Sequence, residues 1–542
     1  MKILYRRLLG ESFSDIAELV LSCLRAGSTS VKSISFHGAI ALGYENEPYY
    51  VLVVLEGDSP PRFQRLKECI QADLVVTIGE ENFKGDCVDE GLGGAIASLL
   101  LFPYKTMLGD QVLDAAEVEY KRHVVLESLQ NLILDYKLAS SHLLIKAEYF
   151  LFDKLRKISA IHLPVRRLVK SCFHDHLSES LRLVLPGYEH ALDDLVSQGI
   201  LVRRGERYSP SEEYVFSTLS KSSAFLKLSR ELEHSFKLYL SASLSSPIEP
   251  LKELALDPMI LRPVKLPEPS RYVERETALG PQPLNVELGL RDFVETFYGV
   301  KPERIRIRRA ASALNSAYII EFPMDGSRMR IFAKKYLNWT DFKWVAAWLW
   351  AVGVKNFSLL ASIRMGNEIY FVNKLMELGF NTAEILHVNW SGRILFQRFV
   401  EGLDLARALR SSPDEVLVTH GREIGMLLAR LHENGICLGD CNPSSFILAA
   451  DDRIYIVDLE QCSYDDSYAW DLAELLYYSA RYLKPEQEDI FLSSIIRGYT
   501  EVGDIKVVEE AMDPKYARVL APLILPRNPS EFREKIMQLA RR

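Results

Sequence analysis

Seven cysteines are scattered through 542 residues, at Cys23, Cys69, Cys87, Cys172, Cys437, Cys441 and Cys462. The number is odd and no C-x-x-C pair occurs, which argues against a disulfide framework or a zinc ribbon and fits a reducing compartment. Free cysteine ordinarily packs as a small apolar residue, so the seven are assigned no role. Long apolar runs are missing too. The most apolar stretch, Val345 to Ile363, is broken by Gly353, Lys355 and Asn356 and falls short of the ~20 residues of a membrane span. Met1 to Leu9 carries charges and no apolar h-region, so no signal peptide is read there and a cytoplasmic location is expected. Nor is positive charge in excess: the formal net charge of -8 argues against a nucleic-acid binder that relies on overall charge and leaves only a local basic patch. No repeat recurs at a fixed period.

What is present is ordinary globular material, 48% hydrophobic and 25% charged, in a chain long enough for about three to four compact units. Residues 12 to 27 have the pattern of an amphipathic helix. Ser33 to Phe36, Tyr50 to Leu55 and Ala72 to Ile78 read as strands, and periodic helical sequence follows from about Gly91 to Ile161. From Tyr188 a helix ends at Gly199 and is followed by a strand, a turn at Gly205 and a second strand, the layout of a winged helix. Ser241 to Pro283 is serine-rich, then proline-rich, and reads as a linker. From Ile305 the order is strand, turn, strand, strand, helix, strand, strand, then mostly helix. The expected fold class is multidomain α+β.

Four ordered features in the last part point to phosphoryl transfer, which needs a cation on phosphates, carboxylates for magnesium and a carboxylate beside the acceptor hydroxyl. Ile331-Phe-Ala-Lys-Lys-Tyr336 is an apolar strand whose alternation sends one of Lys334 and Lys335 to the concave side; strand logic leaves both open. Glu368 lies on a helix that Gly379 ends, and it could pair with that lysine. Asp440 falls in a loop after a helix that stops at Gly435 and is the base candidate. Eighteen residues on, Ile454-Tyr-Ile-Val-Asp458 ends an apolar strand with a carboxylate that a magnesium ion would explain.

This segment resembles the atypical, minimal protein kinases: the RIO kinases, the small kinase of the KEOPS complex and the lipopolysaccharide Kdo kinases. Gly439-Asp440 resembles their catalytic dipeptide, Val457-Asp-Leu-Glu460 their metal-binding strand end, Asp471 their structural aspartate and Phe399-Val-Glu-Gly402 their hinge. The resemblance implies a bilobal kinase-like fold, ATP and Mg2+ as cofactors, and a protein or other hydroxyl acceptor. Catalytic candidates are Asp440, Lys334, Lys335 and Glu368, with Lys334 favoured by the lysine-x-aromatic pattern of the relatives. Nucleotide candidates are Ser312, Asn315, Ser316, Lys334, Gln397 and Phe399; metal candidates are Asp458, Asn442 and Ser445.

Two departures from the pattern matter. Ser445 stands where the relatives carry a metal-binding asparagine, and Arg309 to Tyr318, where a phosphate loop belongs, has no glycine. A nucleotide-binding scaffold without catalysis is therefore the alternative, and a small-molecule phosphotransferase a further one. Between the lysine strand and Glu368, Trp339, Trp344, Trp348 and Trp350 read as packing or as a docking surface.

Near the N-terminus, Phe36-His-Gly38 through Val54 resembles the nucleotidyltransferase signature, but the two metal-binding aspartates would fall on Tyr50 and Leu52, which cannot usefully ligate magnesium. A degenerate domain is expected, or an unrelated α/β module in which Gly38 and Gly43 only serve turns. The winged-helix-like segment carries Arg203, Arg204 and Arg207, with Arg166, Arg167 and Lys170 upstream, and fits nucleic acid or protein docking. The expected division is 1–110 nucleotidyltransferase-like, 111–164 helical extension, 165–215 winged-helix-like, 216–283 helix and linker, 284–505 kinase-like and 506–542 helical tail.

Overall fold

A computed structural model describes residues 22, 30–65, 72–221, 262–310, 316–337, 354–355, 357–524 and 527–541. Nearly all of the helix expected over 12–27, much of the expected linker, the four tryptophans, Ser312 and Asn315 lie outside the described residues. The chain forms two compact units, one of residues 1–135 and 143–274, the other of 136–142 and 275–542.

In the first unit, β1 (Val31–Gly38), β2 (Tyr49–Leu55), β3 (Arg62–Gln64), β4 (Leu74–Gly79) and β5 (Tyr104–Leu108) form a sheet of order β3-β4-β2-β1-β5. Only β2 and β4 pair in parallel. Central strand β2 reads Tyr-Tyr-Val-Leu-Val-Val-Leu because neither of its faces meets water. Tyr50 is 1% exposed and donates its hydroxyl to the Pro164 carbonyl at 3.0 Å, while Leu52 is wholly buried. The two positions that a nucleotidyltransferase would give to metal are thus closed by core. Helices α1 (Glu80–Asp89), α2 (Asp110–Tyr136) and α3 (Ala147–Ile161) follow. The helical block expected from Gly91 is interrupted by β5 and by β6 (Leu143–Ile145), since pairing with β1 outweighs local helical periodicity in Tyr104-Lys-Thr-Met-Leu108.

Further on, α4 (Leu177–Ser197) ends before Gly199, at φ 71°, and a hairpin of β7 (Leu201–Arg204) and β8 (Arg207–Pro210) turns at Gly205. Its cations face carboxylates: Arg203 pairs with Asp193 at 3.0 Å and Arg207 with Glu274, while upstream Arg167 pairs with Asp73 at 2.8 Å. A phosphate would have to compete with these partners. Within the expected linker, Pro269–Tyr272 makes one 3-10 turn and Val273 is fully buried, so order begins earlier than composition suggests.

In the main part of the second unit, from Arg275 on, α5 (Leu290–Tyr298) packs on one face of an antiparallel sheet. That sheet contains β9 (Arg306–Arg309), β10 (Ser316–Met324), β11 (Ser327–Lys335), β13 (Ile385–Asn389) and β14 (Ile394–Arg398), in order β9-β10-β11-β14-β13. The β10–β11 hairpin turns on Asp325-Gly326, both at positive φ, the dipeptide that matches strand twist in a two-residue loop. Helix α6 (Ala361–Glu377) lies in sequence between β11 and β13. A second small sheet joins β12 (Asn381–Thr382), β15 (Gly402–Asp404), β16 (Phe446–Ala449) and β17 (Ile454–Ile456). The remainder is helical: α7 (Leu405–Ser411), α8 (Asp414–Glu433), α9 (Tyr468–Tyr482) and α10 (Pro485–Thr500), then three more helices to residue 540. Helix α9 is buried almost all round, from Ala469 to Tyr477, as expected of a helix at the centre of a helical layer.

Candidate active site

Strand β11 sorts its residues by face. Ile331 and Ala333 enter the apolar cluster with Phe293 and Val294 of α5 and Phe396 of β14. Alternation then sends Phe332 and Lys334 to the opposite side, and Lys335 is exposed. Lys334 is 4% exposed and donates to Glu368 at 2.6 Å; it also bonds to Asp458 and lies 3.2 Å from Glu460. Burial works against its charge, but Asp458, Glu368 and Glu460 outweigh it and hold the ammonium well above its usual range. The geometry therefore separates the two lysines that strand logic left open.

Glu368 comes from the buried face of α6 and is 1% exposed. Tyr336, two residues after Lys334 and on the same side, donates its hydroxyl to Glu368, and the Lys334 ammonium lies 5.2 Å from its ring centre. Glu460 is held by Arg364, itself 1% exposed, at 3.2 Å. The sequence motifs single out neither Tyr336 nor Arg364, and they include Glu460 only as the last residue of the Val457–Glu460 strand end. Their signal was present but weak: an aromatic two positions past a buried lysine, and a carboxylate two past Asp458.

The loop carrying Asp440 is shaped by Gly439, at φ 74°, where a Cβ would lie 2.4 Å from the Gln461 carbonyl oxygen. Only glycine fits. Asp440 is half-buried and accepts from the Asn442 amide at 2.8 Å. Burial and the charge of Asp458 push its carboxyl up to about 7, with the Asn442 bond opposing them. Asp458 is left-handed at φ 64°, a conformation costly for a side chain other than glycine and one that concentrates at functional sites. Its side chain is 43% exposed.

Oxygens of Glu368, Asp458 and Glu460 lie within 4.8 Å of one another. Hard carboxylate oxygens suit magnesium, and Asp458 and Glu460 fit such an ion as donors, although the Lys334 ammonium already lies against all three oxygens. Among the described residues, and counting Asp440, four carboxyls lie beside Lys334 and Arg364. The other metal candidates are turned to the main chain: the Asn442 side-chain oxygen caps Ser444 at 2.9 Å, and the Ser445 hydroxyl donates to the Asp440 carbonyl at 3.1 Å. Neither belongs to the carboxylate group.

Among the nucleotide candidates, Gln397 is 4% exposed and pairs across the strands with Phe332, on the Lys334 side. Phe399 is half-buried under the Arg330 guanidinium, 4.5 Å from its ring centre. Ser316 opens β10; Ser312 and Asn315 lie outside the described residues. A cavity of about 640 Å³ is lined by Phe380, Glu384, Phe399, Glu401 and Tyr455, and it includes none of Lys334, Asp440 and Asp458. Among the described residues no helix is long and apolar enough to cross a membrane.

No protein-family model matches the chain. Among curated proteins, it is 27% identical over 135 residues to the KEOPS complex subunit Bud32 of Pyrococcus abyssi, an alignment that covers 25% of this chain and 59% of that protein. The chain thus spans less than two thirds of that relative. Among solved structures, the Rv3197–erythromycin complex of Mycobacterium tuberculosis aligns at a TM-score of 0.23 and 14% identity, over 39% of this chain and 61% of that one. The ethanolamine kinase of Plasmodium vivax aligns at 0.24 and 11% identity, over 48% and 91%. The similarity to Bud32 and the ordered geometry of the second unit agree on a kinase-like fold.

Proposed function

We propose that this protein is an ATP-dependent kinase that transfers the γ-phosphoryl group to a hydroxyl of a protein or another acceptor. The observation that carries the reading is the buried Lys334–Glu368 pair beside Asp458, with Asp440 in the adjoining glycine-shaped loop. Lys334 would meet the phosphates, Glu368 would orient it, and Gln397 and Phe399 would face the base. Asp440 would accept the proton of the acceptor hydroxyl as its oxygen bonds to the γ-phosphorus and the bond to ADP breaks. Asp458 and Glu460 would hold magnesium. That ion, when bound, neutralises phosphate charge.

A second reading, a nucleotide-binding scaffold, draws support from Ser445, whose hydroxyl is engaged with the main chain, and from the glycine-free stretch after Arg309. A small-molecule acceptor is a further variant. The first unit enters this proposal as a degenerate nucleotidyltransferase-like domain with a winged-helix-like segment. The helix and hairpin at 177–210 support the latter, as a contact for protein or nucleic acid. The expected six-part division and a cytoplasmic location belong to the same proposal. The test is magnesium-dependent transfer of labelled γ-phosphate by the full chain, with ATP hydrolysis and ATP binding scored beside it. Turnover lost in Asp440→Asn with binding intact supports the kinase; binding without turnover in the unaltered protein selects the scaffold.

A further inference from the structure

The main chain around Asp440 is fastened by buried side chains. Asp471 on α9 accepts the amide hydrogens of Leu438 at 2.6 Å and Gly439 at 2.8 Å. The Trp470 indole donates to the Gly439 carbonyl at 3.0 Å. These contacts hold the loop on the side before Asp440. On the side after it, the Cys441 amide donates to Glu474 at 2.8 Å. Glu474 stands three residues beyond Asp471, hence on the same face of α9, and is 4% exposed.

We propose that Glu474 is a positioning residue for Asp440: by holding the Cys441 amide it closes the second side of the loop and fixes the direction of the Asp440 carboxylate. The proposal rests on the reading of Asp440 as the base. After Asp440 the Ser445 hydroxyl on the Asp440 carbonyl and the Asn442 amide on its carboxylate also hold the loop, but both come from the loop itself. Glu474 ties that side to α9, and a displacement of about 1 Å at a reacting group costs about 10²-fold in rate. Burial and the neighbouring Asp440 push the Glu474 carboxyl well above its usual range. Its oxygen accepts the Cys441 amide hydrogen whether or not the carboxyl carries a proton. Glutamine keeps the acceptor, since its carbonyl oxygen takes an amide hydrogen. Methionine matches it in length and offers no comparable acceptor.

The experiment compares full-length Glu474→Gln and Glu474→Met with the unaltered protein. Magnesium-dependent ATP turnover is read together with hydrogen–deuterium exchange of a peptide spanning Cys441. Expected are a Glu474→Gln rate within about threefold of the unaltered protein, and a loss of about 10²-fold in kcat for Glu474→Met with KM for ATP nearly unchanged. Exchange at Cys441 should rise in Glu474→Met alone. Equal losses in both variants, or unchanged kcat and exchange in Glu474→Met, overturn the proposal. If the unaltered protein turns over no ATP, the kinase reading fails separately. The exchange data then decide whether Glu474 holds the loop. Should Glu474→Met not fold, Glu474→Asp, whose shorter side chain draws the carboxyl back from Cys441, carries the same expectation.

Discussion

Each unit buries a lysine among carboxylates, and the two clusters differ in how far those carboxylates reach solvent. In the first unit Lys154 bonds to Glu90 at 2.6 Å and Glu127 at 2.8 Å, and Lys157 adds contacts to Glu127 and Asp153. His123 lies 3.7 Å from Glu90. Among the described residues three carboxylates there face two lysines, with His123 beside them. In the second unit Lys334 and Arg364 face four carboxyls, one of them the half-exposed Asp458 in a left-handed backbone. Both clusters hold a left-handed carboxylate, Glu90 at φ 47° and Asp458 at φ 64°, and both bring ligand atoms within 4.8 Å of one another; they differ in exposure, Glu90 being buried and Asp458 half-exposed. Proximity of acids and a lysine is therefore a poor marker of function, and an exposed carboxylate beside the lysine is a better one.

The largest effect that sharpens this contrast is expected for Asp440→Asn, a loss of roughly 10² to 10⁴-fold in turnover at unchanged ATP affinity; a fall in affinity of the same size would assign Asp440 to binding instead. Next comes the pair of lysines at the cluster centres. Lys334→Met and Lys154→Met each leave buried carboxylates uncompensated and should each destabilise their unit by about 3–5 kcal/mol in denaturant unfolding. Only Lys334→Met should weaken ATP binding, and loss of binding in Lys154→Met would break the distinction. Divalent-cation binding, followed with manganese by electron paramagnetic resonance, should disappear in Asp458→Ala and persist in Glu127→Gln; the reverse would move the cation to the first unit.

The order of the kinase-like features was legible because each rests on a local rule. Strand alternation made one of two lysines face inward, Gly379 and Gly435 marked helix ends, and Asp458 closed an apolar strand. Which lysine turned inward was not legible from alternation. The choice is made by α5, whose Phe293 and Val294 claim Ile331 and Ala333 as core and so send Lys334 the other way. The pairing of Glu460 with Arg364 was equally hidden, because it joins residues 96 positions apart. In the first unit, β5 sat unseen inside a helical pattern because its pairing with β1 is a tertiary contact. Tyr50 and Leu52 told the opposite story: the residue types alone ruled out metal, and burial agrees.

Smaller effects probe the same cluster. The Asp440 carboxyl, raised to about 7 from 3.8, binds its proton more tightly in the folded protein than in the unfolded chain. Its contribution to stability is therefore fully present below about pH 4 and is lost as pH rises through about 7. The metal-free protein should lose stability over that window, and Asp440→Asn should flatten the loss; a slope unchanged by the substitution would place its origin elsewhere. Smallest is Tyr336→Phe, which removes one hydrogen bond to Glu368 and should cost about 1–3 kcal/mol in unfolding, with a turnover change below that of Lys334→Met.

The two adjacent lysines offer the most direct test of the central claim, that the buried face of β11 carries the phosphate-binding group. Single-turnover transfer from labelled ATP, in the presence of magnesium, should be measured for Lys334→Met and Lys335→Met beside the unaltered protein. The account predicts transfer abolished in Lys334→Met and near normal in Lys335→Met. Normal transfer in Lys334→Met, or loss confined to Lys335→Met, would contradict it.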